Sequence, residues 1–527
     1  MKPNTRSVFS KIFALTISSV ALQALGFGYR IFLSRTAGAL GMGLFQLVLP
    51  FYSVLIALTL SGLTLAVSGL SAAELGAGSP AGARRVLRVC RWIFVLLFAL
   101  VALVLLLFHG FISEQLLGDG RVQTAILLLL PCLLLTGFEN LYKNYFYGVG
   151  HVRPPITSEL TEQSVRLVAV AVLLLTLRPQ DPGDTVSLIV LGMVISEVAS
   201  VLLLSRFYRS KLVPPIKAHP PVGTLIRRIG AIAVPVTAAG LCNNLLAAAN
   251  AVLIPQRLMA YGMNHTDAIS SYGVLFGMTL PLLALPFALL IPLAIVIVPK
   301  LSESCATSRA DDVRRKAGKA LHTTGLLAFP ALAFLLPLGA SAGRLLYGQN
   351  AAQMYLLPLC LATFFGFYQI TTGAILNGIG LQRKNALYTV LGGLLQLGFT
   401  WAVGTFGIRS FIVGDLLSAV FIAALNLREV LHALELKFRL RNWVVIPALA
   451  SVLTFAMVRV TALRLTADGV NAWIALLLPL VLGGVLYLLA LRMQGTSLPR
   501  YLKTLIPRKA SSSLPMCPLP IQRPSRY

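Results

Sequence analysis

The sequence predicts an all-α integral membrane protein of about fourteen transmembrane helices, in two six-helix lobes that form a parallel repeat, with two additional helices near the C-terminal end. Three observations carry this. The chain is 57% hydrophobic and only 12% charged over 527 residues, whereas soluble domains run near a quarter charged, so lipid rather than water is its solvent. Apolar stretches recur along almost the whole chain, each near the length of about 20 residues that crosses about 30 Å of hydrocarbon. Basic residues crowd into alternate connections, as the positive-inside rule demands of a multi-span protein.

The first lobe, residues 1–217, is predicted to hold spans over 12–33, 42–70, 92–108, 122–146, 155–177 and 185–205. The second span is long and has Pro50 at which to bend. The basic start, Lys2, Arg6 and Lys11, is not read as a signal peptide, because Gln23 and Arg30 interrupt the apolar run and many spans follow. The second lobe, residues 218–440, is predicted to hold 229–254, 270–298, 320–343, 352–376, 385–407 and 410–427, with Pro281, Pro286 and Pro292 inside its long second span. Spans over 443–463 and 470–491 make an appendage at 441–495. The tail 496–527, rich in Pro and basic residues, reads as disordered and cytoplasmic.

The two lobes echo each other in sequence. Gly148, Val149, Gly150 and Arg153 match Gly378, Ile379, Gly380 and Arg383 at an offset of 230, and Leu70, Ser71 and Glu74 resemble Leu301, Ser302 and Glu303. Six spans per copy is an even number, so both copies enter the membrane in the same direction. They are therefore related by an axis along the membrane normal, with a central cavity between them.

The formal charge of +27, from 44 Lys and Arg against 17 Asp and Glu, would suggest nucleic acid in a soluble chain. Here the basic residues sit in short clusters between apolar runs, the pattern that anionic cytoplasmic lipid selects, so no nucleic-acid partner is predicted. With the N-terminus inside, the external connections hold only Arg35, Arg121, Arg178, Arg257, Arg344, Arg409 and Arg464. Both termini are thus predicted to be cytoplasmic, in the cytoplasmic (cell) membrane of a bacterium.

The chain has no Walker loop and no HExxH. The six cysteines, among them Cys517 in the tail, form no CxxC pair, and the six histidines lie far apart. Neither an enzyme, nor a cofactor, nor a metal site is predicted. Uphill transport would then draw on a proton or sodium gradient or on the membrane potential.

Charges inside spans carry the functional information, because each costs about 2.5–3.5 kcal/mol at the bilayer centre unless it is paired or wetted. Eight are singled out: Arg30, Glu139, Glu159, Glu162, Arg166, Glu197, Asp415 and Arg459. Arg30, with Gly26 and Gly28 one turn before it, reads either as an anion-binding cavity residue or as a side chain that snorkels outward or pairs with Glu139. Glu162 and Arg166, four apart on one face of span five, predict an internal ion pair, and Glu159 one turn earlier makes that face doubly acidic and able to exchange a proton. Glu139 and Asn140 face a cavity or anchor at the interface, and Asp415 pairs with Arg409 or across helices. Glu197 and Arg459 read as helix-contact or interfacial charges. In span seven Asn243, Asn244 and Asn250 precede Arg257, at positions equivalent to span one and its Arg30. They either join helices by amide hydrogen bonds or offer donors to a polar headgroup.

Four segments resemble the polysaccharide-synthesis branch of the multidrug, oligosaccharidyl-lipid and polysaccharide exporter superfamily: GFGYRIFLSRTAGALGMGLFQLVLPFYS, PPITSELTEQSVRLV, AVPVTAAGLCNNLLAAANAVLIPQRL and YGVLFGMTLPLLALPFALLIPLAIVIVPKLSES. The resemblance covers residues 10 to 490. It implies a flippase that moves a lipid-linked saccharide on a polyprenyl diphosphate, or a peptidoglycan precursor, by alternating access, with membrane lipids and cell-wall synthesis proteins as partners. A diphosphate cargo suits Arg30, Arg257 and neutral donors, since guanidinium groups bind phosphate oxygens in pairs. Asn250 departs from the resemblance, which implies an acid there. The alternatives are a cation-coupled multidrug exporter of the same superfamily, supported by Glu139 and Asp415, and a non-transporting membrane scaffold.

Overall fold

A computed structural model describes residues 5–209, 222–306, 310–348 and 356–495. The predicted tail 496–527, with Cys517, lies outside the described residues. Everything regular among them is helical. The first six-helix set comprises α1 (Thr5–Thr59), α2 (Ser61–Gly76), α3 (Pro80–Phe111), α4 (Gln123–Gly148), α5 (Arg153–Leu177) and α6 (Pro182–Arg209). The second runs through α7 (Val222–Ala260), α8 (His265–Tyr272), α9 (Leu280–Leu283), α10 (Phe287–Ala306), α11 (Ala310–Tyr347), α12 (Leu356–Gly378), α13 (Gln382–Trp401), α14 (Val403–Phe406) and α15 (Ile408–Ala433). Two more helices, α16 (Ile446–Ala467) and α17 (Ala472–Met493), pack beside α11.

Among the described residues, eleven helical stretches are long and apolar enough to cross a membrane, against the fourteen spans read from the sequence. The difference lies at three places. The first stretch, Ala21–Thr59, runs through two predicted spans, because they are joined by Gly38 alone (φ 66°, ψ −172°), a conformation that glycine adopts at little cost. The predicted eighth span is divided into α8, a π-helical turn over Gly273–Thr279, α9 and α10, with breaks beside Pro281 and Pro286. The predicted eleventh, α13, opens on Gln382, Arg383, Lys384 and Asn385, which lower its hydropathy.

Helix ends follow local chemistry. Ser79 caps α3, its hydroxyl accepting from the Gly82 N–H at 3.1 Å, and Pro80 takes the first helical position where no donor is needed. Gly150 (φ 74°) and Gly380 (φ 88°) follow α4 and α12 in the left-handed conformation that closes a helix. These are the glycines of the sequence repeat, and their neighbours repeat too. A Cβ on Gly148 would lie 2.5 Å from the Ser68 carbonyl oxygen, and one on Gly378 3.1 Å from that of Val298, again 230 positions on. Helices α2 and α4 thus touch as α10 and α12 do.

The lobes meet along α1 and the α7–α8 region. A Cβ on Gly43 would lie 2.9 Å from the Ile269 carbonyl carbon, and one on Gly273 would lie 2.8 Å from the Gly43 Cα and against the Ala39 oxygen. Gln46 Nε2 donates to the Phe276 carbonyl at 2.7 Å. Ala39 and Ile269, Gly43 and Gly273, and Gln46 and Phe276 are each 230 apart, so equivalent positions meet one another as they do across a two-fold axis.

Two further sets of contacts tie the lobes at the face that carries Gly38. Arg35 donates to the carbonyls of Leu346 (2.9 Å) and Leu345 (2.5 Å) at the end of α11, and His265 Nε2 lies 3.0 Å from the Gly118 carbonyl oxygen. At the opposite face, where the chain begins, Arg228 of α7 pairs with Glu74 of α2 at 3.2 Å. On α7, Val234 and Leu245 are exposed whereas Asn250, Ile254 and Leu258 are buried. On α1, Gln23, Ala24, Gly28 and Arg30 are exposed. Toward the opposite face α7 packs on α2 instead, where Leu225, Ile229 and Ala233 are buried and the Gly62 N–H donates to the Thr237 hydroxyl at 3.2 Å, so exposed positions are interspersed along both leading helices.

Candidate functional site

Helices α4, α5 and α6 pack closely, helped by Gly192, which sits directly against Val170, and they bring most of the intramembrane charge into one place. Lys143 stands at its centre. Its Nζ lies 2.8 Å from Glu139 Oε1, one turn back on α4, 3.2 Å from Glu162 Oε2 and 3.9 Å from Glu159 Oε1. Arg166 holds the other Glu162 oxygen, lies 3.6 Å from Glu197 Oε1 on α6, and donates from Nε to Ser196 at 3.3 Å. Ser200 donates to Glu139, and the Ser158 and Ser200 hydroxyls are 2.5 Å apart.

The chemistry of this cluster follows from its charge count. Glu139, Glu162, Glu197 and Lys143 are buried, while the Arg166 side chain is 16% and that of Glu159 34% exposed. Three buried carboxylates face two cations, so with every group ionised one negative charge is uncompensated in a low-dielectric interior. Ligand oxygens of the three buried acids lie within 4.8 Å of one another, close enough to hold a metal ion. The Lys143 ammonium, however, already lies between Glu139 and Glu162, at 2.8 and 3.2 Å.

The cluster reaches toward α1. Tyr29, 9% exposed, carries a hydroxyl with no hydrogen-bond partner among the described residues and lies close enough to Arg166 to feel its charge. Glu197 Oε2 is likewise buried without a partner. Farther along α1, the Tyr52 hydroxyl donates to Thr136 of α4 at 2.8 Å. A change of charge in the cluster is therefore felt by the helix that forms the lobe seam.

The sequence-predicted residues fall into separate groups. Glu162 and Arg166 do pair, and Glu159 joins them through Lys143. Arg30 does not pair with Glu139: Lys143 takes that carboxylate, because it lies one helical turn away on the same face. Arg30 is instead exposed, with no ion pair among the described residues, near Tyr347 of α11 and one helical turn in from the Arg35 contact. Asn140 bonds back to the Thr136 carbonyl at 2.9 Å.

In the second lobe, Asn243, Asn250, Gln369, Gln396 and Asp415 line a cavity of about 350 Å³. Asp415 accepts from Gln396 at 3.0 Å rather than from Arg409, which lines a different cavity near the Gly38 face. Asn250 accepts from Thr400 at 2.7 Å, and Asn244 donates to the Gly240 carbonyl at 2.8 Å. Arg257 lies over the Trp401 ring, 4.5 Å from its centre, apart from both Arg30 and the Asn243 cavity. Arg459 is exposed on α16. Lys143 and Glu197 are the residues that sequence reading undervalues. The Glu139-to-Lys143 spacing was the available signal, and it is masked by the polar, aromatic end of α4.

Residues 8–305 match the family described as "Polysaccharide biosynthesis protein". The chain is 22% identical to stage V sporulation protein B of Bacillus subtilis over 437 residues, 81% of this chain and 84% of that protein. It is 24% identical to sporulation protein YkvU of the same organism over 405 residues, 75% of this chain and 87% of that one. Among solved structures, an inward closed form of the lipid II flippase MurJ superposes with a TM-score of 0.67 at 13% identity, covering 91% of this chain and 98% of that one. An inward-facing MATE multidrug resistance transporter of the MOP superfamily gives 0.64 at 16% identity, covering 80% and 99%.

Proposed function

Because this chain belongs to the polysaccharide biosynthesis protein family, we propose that it is a flippase, carrying a saccharide or peptidoglycan precursor on a polyprenyl diphosphate across the bacterial cytoplasmic membrane. Arg30 is the observation that carries the reading: an exposed guanidinium without an ion-pair partner among the described residues, just inside the tied end of two lobes. A bare cation at that depth is costly unless an anion arrives there, and a diphosphate supplies paired oxygens at the right spacing. The names of the sporulation relatives and of the flippase neighbour agree with a wall or spore-cortex precursor as cargo. The basic connections favour cytoplasmic termini. Alternating access then consists of releasing the contacts at the Gly38 face while the opposite face closes.

Proton movement through the Lys143 cluster is the coupling step that the charge count favours. Glu159, the member that water reaches, takes up the proton, and the buried carboxylates share it. Glu159→Gln is expected to flatten the pH dependence of transport at normal protein level, whereas Glu162→Gln lowers the protein level itself. An unchanged pH profile in Glu159→Gln would remove it as the port.

The reading is tested by reconstituting the full chain in vesicles with a fluorescent polyprenyl-diphosphate sugar and measuring headgroup protection from an external quencher. Protein-dependent translocation is expected. Translocation of a cationic dye with none of the sugar lipid would favour the multidrug exporter, whose case rests on Asp415 in the second-lobe cavity. Movement of neither, by folded protein, would leave the scaffold reading.

A further inference from the structure

At the face where the chain begins, α3 carries Arg84, Arg85, Arg88 and Arg91. Arg84, Arg88 and Arg91 fall at i, i+4 and i+7, one face of the helix. Arg84 lies 5.1 Å above the Tyr208 ring of α6, and Arg91 lies 5.6 Å from the Tyr142 ring and 5.8 Å from that of Tyr208. Arg91 Nη1 also donates to the Tyr142 hydroxyl at 2.9 Å. The rings are themselves locked together, Tyr142 and Tyr145 each packing on Tyr208 at 5.4 and 5.6 Å. The guanidinium planes are thereby fixed by aromatic faces.

No carboxylate neutralises these arginines among the described residues. Glu74, at the end of the adjoining α2, pairs with Arg228, and the segment 210–221 that follows Tyr208 in the chain contains neither Asp nor Glu. The Arg84 Nε is buried with no acceptor. Directly beyond the arginines the same helix turns apolar and exposed, with Trp92 at 70%, Leu96 at 72% and Leu100 at 62%, a flank that only acyl chains can cover. A cationic clamp with no carboxylate partner among the described residues thus sits at the rim of a lipid-facing surface, and Trp92 marks the interface.

We propose that this clamp binds the phosphate headgroup of a resident anionic phospholipid, its acyl chains lying along Trp92, Leu96 and Leu100, as a structural ligand of the first lobe distinct from the Arg30 region. A phosphodiester offers the anionic acceptor that no carboxylate among the described residues supplies to these guanidinium groups. The juxtaposition of a fixed cationic site with an apolar flank selects a lipid over a soluble anion.

The test uses the purified full chain in uncharged detergent, with its thermal midpoint followed during titration by phosphatidylglycerol, phosphatidylcholine, inorganic phosphate and a polyprenyl diphosphate in separate arms. Phosphatidylglycerol is expected to raise the midpoint and phosphatidylcholine to leave it unmoved. Removing the exposed charge in Arg88→Gln should weaken the lipid response about fivefold, and the Arg84→Gln, Arg91→Gln double variant should abolish it. Should the double variant fail to fold, Arg88→Gln alone decides, since that side chain is exposed. Equal responses to phosphatidylglycerol and phosphatidylcholine, or an unaltered response in Arg88→Gln, would overturn the proposal. An equal response to inorganic phosphate would make the site one for free anions, and preference for the polyprenyl diphosphate would assign it to the cargo.

Discussion

Replacing Lys143 with Met is expected to be the most damaging single substitution in the chain, lowering folding stability by about 3–5 kcal/mol, the usual cost of stripping one partner from a buried ionic cluster. The methionine fills most of the lysine's volume, so packing survives and the loss reports charge. Glu139, Glu162 and Glu197 would then face Arg166 alone. The converse substitution carries the opposite sign. Glu197→Gln leaves two buried acids against two bases, so it is expected to be neutral or stabilising. Both are read from the thermal midpoint of detergent-solubilised protein and from the fraction surviving size-exclusion chromatography. A Lys143→Met variant as stable as the parent would mean that the carboxylates are already neutral, and the proton-sharing account of the cluster would fail.

Arg30→Ala is expected to abolish flipping at an unchanged protein level, and Arg30→Lys to retain a small fraction. A guanidinium presents paired planar donors to a diphosphate, and an ammonium presents a single point of charge. Its exposure and its lack of an ion-pair partner among the described residues mean that the substitution leaves no buried group behind, so stability should not change. Transport in reconstituted vesicles, normalised to the midpoint of each variant, measures this. Full activity in Arg30→Ala would reduce Arg30 to an interfacial anchor, and the anion-binding cavity would have to be rebuilt around Arg257 or abandoned.

Much of the fold was legible because lipid imposes a simple grammar. Apolar runs of spanning length and alternating basic connections give helices and direction, and the glycines at 148, 150, 378 and 380 gave the repeat that the helix contacts display. What escaped were features set by one residue's geometry. A single glycine at 38 joins two spans without a loop, and prolines divide the eighth predicted span into short pieces, neither of which hydropathy registers. At the site, Glu162 with Arg166 was readable because both lie on one helix. Lys143 was not, since its value arises from the approach of three helices, and Arg257 pointed toward a headgroup in sequence although Trp401, from a distant helix, claims it.

The contact between Gly43 and Gly273 bears on the kinetics of switching. Two helices that meet through main chain at this point leave few side chains to disengage there, so the lobes can pivot about this line. Elsewhere a change of state must part the apolar contacts that α1 and α2 share with the second lobe and the polar contacts made by Arg35, His265 and Arg228. How long each state persists is thus set away from the pivot.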